Sequence, residues 1–159
     1  EVDLAVPWFK RFSVVPPEPV TVKPRMSWML INSSSAAAAS LSSFDSVVWI
    51  VGGLLKGVDI TPLIEASANR LKAAIVIGVD REPVLSALTA AAPNVPVIEI
   101  GDGDEVMLRA VTAAKTFAAA GDTVLLAPSS ASMDQFKDYA DRGKQFAEAV
   151  LRLNGGNNG

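Results

Sequence analysis

The chain contains neither cysteine nor histidine among its 159 residues. Without cysteine it has no disulfide, no thiolate nucleophile and no cysteine-ligated zinc site. Without histidine it has no imidazole general base, no histidine-containing triad and no histidine-ligated metal. Any catalytic chemistry must therefore rest on lysine, carboxylates, serine, backbone amides or a bound ion.

The sequence also lacks a basic excess, since 14 lysines and arginines face 17 acidic residues for a net charge of -3. This balance predicts no nucleic-acid partner. The longest apolar-looking run, Phe44 to Leu55, is interrupted by Asp45 and Ser46 and is too short to span a bilayer. No signal peptide is visible after Glu1, so we expect a soluble protein with no membrane partner. A start without Met suggests a piece of a longer chain.

Proline is concentrated at one end, because half of the ten prolines lie within the first 25 residues. Proline removes a backbone donor, so residues 1–35 are predicted to be irregular, with one or two edge-strand pieces at "VTVK" and "MSWMLI". The run from Ala36 to Leu41 follows as a short helix capped by serines. At the other end, residues 154–159 ("NGGNNG") have nothing to bury and are expected to be disordered.

From Phe44 onward, apolar runs alternate with helical patterns. The predicted strands are "SVVWIVGG", "AAIVIG", "VPVIEIG" and "DTVLLAPS". Helices follow them, the first with Thr61 as cap and Pro62 at its first position, the third ended by Gly121, and the last beginning near Met133. Strands that are apolar throughout and separated by helices indicate a mostly parallel sheet covered on both faces. We predict an α/β, Rossmann-like three-layer domain over residues 36–153.

Ligands of open α/β sheets bind beyond the carboxyl ends of the strands, so the strand-to-helix turns are the candidate sites. The four turns are "GGLLKG", "GVDREP", "GDGDE" and "PSSASMD". None matches GxxxxGK[ST], and no GxGxxG opens a helix, so no nucleotide-binding loop is predicted. In "GVDREP" and "GDGDE" the favoured interpretation is a glycine turn with an acid that complements the helix dipole.

Lys56 and Ser132 each allow two interpretations. Lys56 is a lone cation in a glycine-flanked turn, suited to a ligand anion, although spacing alone favours a solvated lysine. Ser132 and Gln135 fit a capping box, whereas free amides at the same helix start would bind a carboxylate. Asp134 in the first turn favours the cap.

Gly143 lies inside the last helix on its apolar face, where glycine is unfavourable by about 1 kcal/mol relative to alanine. Close packing of this helix on the sheet is the simplest explanation. Its neighbours Asp141, Arg142 and Lys144 are interpreted as a solvated face.

Two stretches, "SVVWIVGGLLKGVDITPLI" and "GDTVLLAPSSASMDQFKDYADRGKQFAEAV", resemble the C-terminal domain of the Mur ligases, specifically of those that add D-glutamate. The resemblance runs from about Ala36 to Leu153, and Met133 stands where leucine is usual. It implies an ATP-dependent amide ligase of the cytoplasm that joins D-glutamate to UDP-N-acetylmuramoyl-L-alanine in peptidoglycan synthesis. ATP and Mg²⁺ would be bound mainly by other domains, as would the UDP-linked substrate.

The resemblance also implies a D-glutamate pocket in this domain. Lys56 corresponds to the lysine that binds the side-chain carboxylate, with Ser132 and the backbone of Met133 as its partners. Tyr139 corresponds to an aromatic position that lines the pocket. No catalytic residue is assigned.

The first part of the sequence departs from the family. The family's His-Arg pair is missing around "PPEP", and its Asp-Ser-Lys-Ala-Thr-Asn stretch is replaced by "NSSSAAAAS". No lysine lies between Met26 and Lys56. We therefore expect the isolated chain to be inactive, and the alternative is a standalone Rossmann-like binding or interaction module that has lost ligation.

Overall fold

The computed structural model describes residues 9–12, 26–31, 34–52, 55, 57–127 and 135–155. Its strands are β1 (Phe9–Phe12), β2 (Ser27–Ile31), β3 (Val47–Gly52), β4 (Leu71–Ile77), β5 (Val97–Glu99) and β6 (Thr123–Leu126). Its helices are α1 (Ser34–Ser42), α2 (Thr61–Ser67), α3 (Glu82–Ala91), α4 (Val106–Phe117) and α5 (Tyr139–Gly155).

The strands form one six-stranded sheet in the order β1-β2-β6-β3-β4-β5. β1 pairs antiparallel with β2, and the other neighbours all pair in parallel. β3, an interior strand, is apolar and buried along its whole length because helices cover both faces. The predicted α/β, Rossmann-like three-layer fold with a mostly parallel sheet is confirmed.

The two faces of the sheet carry separate cores, as strand alternation requires. On β3, Val48 and Ile50 pack with residues of α4 and α5. Val47, Trp49 and Val51 point the other way and pack with residues of α1, α2 and α3. The sheet is thus the middle layer, with two helices on one side and three on the other.

β2 is an interior strand, so the expectation of an edge strand at "MSWMLI" is wrong. It pairs with β6 on one side and with β1 on the other, and Trp28 and Leu30 are fully buried. The segment is apolar on both faces, and Pro24 precedes it instead of interrupting it. The strand at this edge of the sheet is β1, "FKRF", which the sequence pattern did not indicate. "VTVK" lies outside the described residues, and the boundary at residue 36 stays a prediction.

Two helix ends differ from the predictions. Thr61 does not cap α2; Ile60 stands at the N-cap position, and the Asp59 carboxylate accepts a hydrogen bond from the Thr61 amide at 2.9 Å. α4 ends at Phe117, because Ala118 is extended, and so stops short of Gly121. In both cases the helical pattern was correct and only its terminus was misplaced.

The last helix is shifted toward the end of the chain. α5 begins at Tyr139 instead of near Met133, and it continues to Gly155. Two residues of the predicted disordered tail are therefore helical, and residues 156–159 lie outside the described part. The packing explanation of Gly143 is confirmed, since a Cβ there would lie 2.9 Å from Cδ2 of the buried Leu30.

Among the described residues, no helix is both long and apolar enough to cross a bilayer.

A buried carboxylate joins β4 to β6 at the amino ends of the strands. Asp122 accepts hydrogen bonds from the Lys72 ammonium at 2.5 Å and from the Ala119 amide at 2.7 Å. Burial raises the pKa of Asp122, but hydrogen bonds from Lys72, Ala119 and Ser46 together outweigh it and leave the pKa below its ordinary value. The ionised carboxylate therefore stabilises the folded state.

We predict that Asp122→Asn lowers the free energy of unfolding by about 1–3 kcal/mol at pH 7, since a charge-assisted hydrogen bond becomes a neutral one. A depressed folded-state pKa contributes stability above the unfolded pKa of about 3.9, and this contribution is lost as the pH falls through the folded pKa. The difference between variant and wild type should therefore shrink below about pH 4. Urea unfolding of both proteins from pH 3 to 7.5 measures this difference in the free energy of unfolding.

The matched control is Asp45→Asn, at an exposed aspartate of the same sheet end. It should follow the wild type within about 0.5 kcal/mol at every pH. Equal unfolding midpoints for Asp122→Asn and wild type at pH 7 would contradict the assigned role.

Candidate functional site at the carboxyl edge of the sheet

The parallel strands bring several strand-to-helix turns to one edge of the sheet. β3, β4, β5 and β6 end there, followed by α2, α3, α4 and the segment that leads to α5. Trp49 fixes the end of β6, because its indole Nε1 donates to the Ala127 carbonyl oxygen at 2.9 Å inside the core. This edge is where open α/β sheets bind their ligands.

The structure describes one of the four predicted site residues. Tyr139 is the first residue of α5 and is 37% exposed, with the Arg142 guanidinium carbon 5.2 Å from its ring centroid. Lys56, Ser132 and Met133 lie outside the described residues. Near Lys56 in the chain, the Val58 amide donates to the Leu55 carbonyl oxygen at 2.9 Å. The predicted roles of all four residues stay predictions.

Gly52, the first glycine of "GGLLKG", is required by packing. A Cβ at this position would lie 2.3 Å from the carbonyl oxygen of Ile77 on β4. β3 and β4 are neighbours, so the missing side chain lets the two backbones run close together as they leave the sheet. This glycine thus belongs to the fold and needs no ligand to explain it.

A group of four polar side chains, which we name the turn cluster, connects three of the turns. Its members are Arg81, Glu99, Asp102 and Gln135. Arg81 donates from Nε to Glu99 Oε1 at 2.6 Å and from Nη1 to Asp102 Oδ1 at 3.1 Å. Gln135 donates from Nε2 to the same Asp102 oxygen at 2.7 Å.

The turn cluster also binds the backbone of the turn after β4. The Gly78 amide donates to Gln135 Oε1 at 2.9 Å, and Arg81 Nη1 donates to the Gly78 carbonyl oxygen. Gly78 has φ 115°, a conformation that favours glycine. The backbone amide and the carbonyl oxygen of Gly78 are therefore both hydrogen-bonded to side chains of the turn cluster.

The charge of Arg81 is matched inside the cluster. Its side chain is 17% exposed, and the hydrogen bond to Glu99 raises its pKa further, with Asp102 adding to the effect against a smaller opposing effect of burial. The guanidinium thus remains cationic and faces two carboxylates. This arrangement orients the turns and leaves little positive potential for an anionic ligand.

The predicted capping box of Ser132 and Gln135 is wrong, because the Gln135 side chain is bound to Gly78 and Asp102. α5 is capped instead by Asp138, whose Oδ1 accepts from the Asp141 amide at 2.7 Å. Asp141 accepts from the Lys137 amide at 3.0 Å, and this bond, followed by the one from Gln145, lowers the Asp141 pKa. Capping therefore occurs six residues later than predicted.

The acids of "GVDREP" and "GDGDE" lie at the helix starts, where they complement the helix dipoles as predicted, but they make no side-chain cap hydrogen bond. Arg81 and Glu105 occupy the N-cap positions of α3 and α4, and neither helix has a side-chain cap bond. Glu82 does lie in the first turn of α3. The turn before α4 is held by Arg109, which donates to the carbonyl oxygens of Gly101 and Asp102 at 2.7 and 3.2 Å.

Arg142 is buried, so its assignment to a solvated face is wrong. It is 4% exposed and lies beside Tyr139 in the first turn of α5. Its spacing of four residues from the buried Phe146 was a sequence signal for the inner face. No local sequence pattern indicated the contacts of the turn cluster, since Gln135 binds the Gly78 backbone from 57 residues away in the chain.

The turns after β4 and β5 carry polar side chains of a kind that can ligate a metal ion. In the part of the chain that the structure describes, no group of three carboxylates is arranged to hold a metal ion. The turns after β4 and β5 use their polar side chains to bind one another.

Comparison with known proteins identifies relatives of this chain. A protein named UDP-N-acetylmuramoylalanine–D-glutamate ligase from Bifidobacterium adolescentis is 53% identical over 125 residues, covering 76% of this chain and 26% of the relative. A protein of the same name from Thermobifida fusca is 49% identical, and the match covers 78% of this chain and 27% of the relative. Another from Leifsonia xyli is 48% identical, and the match covers 87% of this chain and 28% of the relative. The chain is homologous to one segment of the D-glutamate-adding Mur ligases.

The predicted resemblance is thereby confirmed, and the chain spans about a quarter of the length of the curated relatives it matches. The match to the Leifsonia ligase covers 87% of the chain, more than residues 36–159 could supply alone. The similarity therefore extends into the proline-rich first 35 residues. No family model matches the chain.

We predict that Gly52→Ala is strongly destabilising. The added Cβ would overlap the Ile77 carbonyl of the neighbouring strand, and backbone cannot give way as a side-chain end can. We expect a loss of about 3 kcal/mol in the free energy of unfolding, at the upper end of ordinary overpacking. Thermal and urea unfolding measure it.

Gly101→Ala is the matched control at the same edge. No heavy atom lies within 4 Å of a Cβ built on Gly101, so its stability should change by less than about 0.5 kcal/mol. If both variants unfold at the same denaturant concentration, the close approach of β3 and β4 does not require glycine.

Proposed function

We propose that the chain is the C-terminal, D-glutamate-binding domain of an ATP-dependent ligase that adds D-glutamate to UDP-N-acetylmuramoyl-L-alanine in peptidoglycan synthesis. The observation that carries the proposal is 53% identity over 125 residues to a ligase named for this substrate pair. The proposal assigns the activity to the cytoplasm. It also holds that this domain does not catalyse ligation alone, because the match covers 26% of the relative.

The proposed pocket lies at the carboxyl edge and consists of Lys56, Ser132, the backbone of Met133, and Tyr139. Tyr139 supports it, since this residue is 37% exposed at the start of α5, at this edge of the sheet. The turn from Leu55 to Val58 follows β3 at the same edge. D-glutamate carries two carboxylates, and each charge-assisted hydrogen bond to them contributes about 1.5–3 kcal/mol.

The other substrates belong to the rest of the ligase in this proposal. ATP, with Mg²⁺, supplies the phosphoryl group that activates the muramoyl-alanine carboxylate. The part played by this chain is to bind D-glutamate and to orient its amine toward that activated group.

A second candidate function is a standalone binding or interaction module that has lost ligation. α1 is the observation that favours it, because the sequence "SSAAAASLS" has no ionisable residue and follows directly after β2. The family has an Asp-Ser-Lys-Ala-Thr-Asn stretch in this region. A chain of this kind would retain at most the amino-acid pocket.

We predict that D-glutamate binds the wild-type chain weakly and that Lys56→Ala abolishes the binding while the fold persists. The lysine is the cation of the proposed pocket, and affinity is low because the remaining domains do not close over the ligand. Titration of the ¹⁵N-labelled chain, followed by amide chemical shifts, measures both the affinity and the place of binding. L-Glutamate is the ligand control.

Lys144→Ala is the matched variant, since Lys144 is an exposed lysine of α5 that pairs with Glu148 on the same helix. It should bind D-glutamate as the wild type does. Shifts confined to the turn after β3 and the start of α5, with D-glutamate preferred over L-glutamate, support the pocket. Equal binding by Lys56→Ala would overturn the assignment.

A further inference from the structure

Gln135 is the group through which the start of α5 is attached to the neighbouring turns. Residues 135–138 are not helical, and they lead directly into Tyr139. Within this segment Phe136 packs against the core between the sheet and helices α4 and α5. Gln135 binds outward from the same segment, to Gly78 after β4 and to Asp102 after β5.

The Gln135 side-chain amide uses both its acceptor and its donor. Its oxygen accepts from the Gly78 amide at 2.9 Å, and its nitrogen donates to Asp102 at 2.7 Å. Neither a carboxylate nor an apolar side chain can make both bonds, because the first lacks a donor and the second lacks both groups. Asp102 is in turn held by Arg81, whose other partner is Glu99.

We propose that Gln135 is a positioning residue for the D-glutamate pocket: by binding Gly78 and Asp102 it fixes the start of α5, and with it Tyr139, at the carboxyl edge. This inference rests on the proposed function, because the pocket itself is part of that proposal. Gln135 does not touch the ligand in this scheme. It acts through the segment of four residues that ends in Tyr139.

An exchange of two side chains tests the proposal without a change in net charge. Gln135→Glu places a carboxylate against Asp102, so the bond is lost and two like charges face each other. Adding Asp102→Asn removes the second negative charge and supplies an amide nitrogen that can donate to the glutamate. Because Arg81 and Gln135 share one Asp102 oxygen, the asparagine amide must rotate so that its nitrogen faces residue 135 and its oxygen faces Arg81. Gln145→Ala is the matched control, because Gln145 bonds to Asp141 within α5.

The readouts are the Gly78 amide shift, which reports the bond to residue 135 without any ligand, and the D-glutamate dissociation constant from the same spectra. We expect Gln135→Glu to move the Gly78 signal and to weaken D-glutamate binding about tenfold, comparable to one or two hydrogen bonds. The double variant should recover both properties to within about twofold, and Gln145→Ala should change neither.

The outcomes separate the two proposals. If the wild type binds D-glutamate and Gln135→Glu binds it equally well, the positioning role is overturned and the proposed function stands. Weakened binding that the double variant does not recover also overturns the role, since a merely disruptive substitution gives that result. If the wild type shows no shift with D-glutamate at tens of millimolar while Gly78 still reports the bond, the D-glutamate pocket fails in this chain, and the positioning role fails with it.

Discussion

Burial of the parallel sheet on both faces is the constraint on which the other features depend. β3 is apolar along its whole length, with Val48 facing one helical layer and Trp49 facing the other. Since charged side chains are costly inside such a sandwich, polar groups collect at the two ends of the strands. One end carries the ion pair of Lys72 and Asp122, and the other carries the turn cluster.

The two ends use their charges differently. At the amino end, one buried carboxylate joins two strands and stabilises the sheet. At the carboxyl end, the Arg81 charge is matched by Glu99 and Asp102, so the turn cluster connects neighbouring turns rather than attracting an anion. An anionic ligand at this edge therefore needs a cation from outside the cluster, which is the role proposed for Lys56.

The sequence predicts well what depends on neighbouring residues. The apolar run "SVVWIVGG" identifies β3, and the period of three and four residues identifies the body of α5. The failures involve pairings between distant residues. The spacing of Gln135 from Ser132 predicted a capping box, but the Gln135 side chain accepts a hydrogen bond from Gly78, 57 residues away in the chain. The prolines before "MSWMLI" predicted an edge strand, but β1 pairs with its outer side. Arg142 is a different case, because its spacing of four residues from Phe146 placed it on the buried face of α5. It was assigned to the solvated face only because its side chain is charged.

Under the proposed function, D-glutamate binding and ligation depend on different parts of the fold. The proposed amino-acid pocket lies where β3 ends and α5 begins, whereas the stretch that departs from the family forms α1, after β2. β2 and β3 are separated in the sheet by β6, so α1 and the proposed pocket follow the carboxyl ends of different strands. A change confined to α1 can remove charged groups without disturbing Tyr139 or the turn cluster. High identity to the ligases and loss of one of their motifs are thus compatible, because the motif and the pocket are supported by different strands.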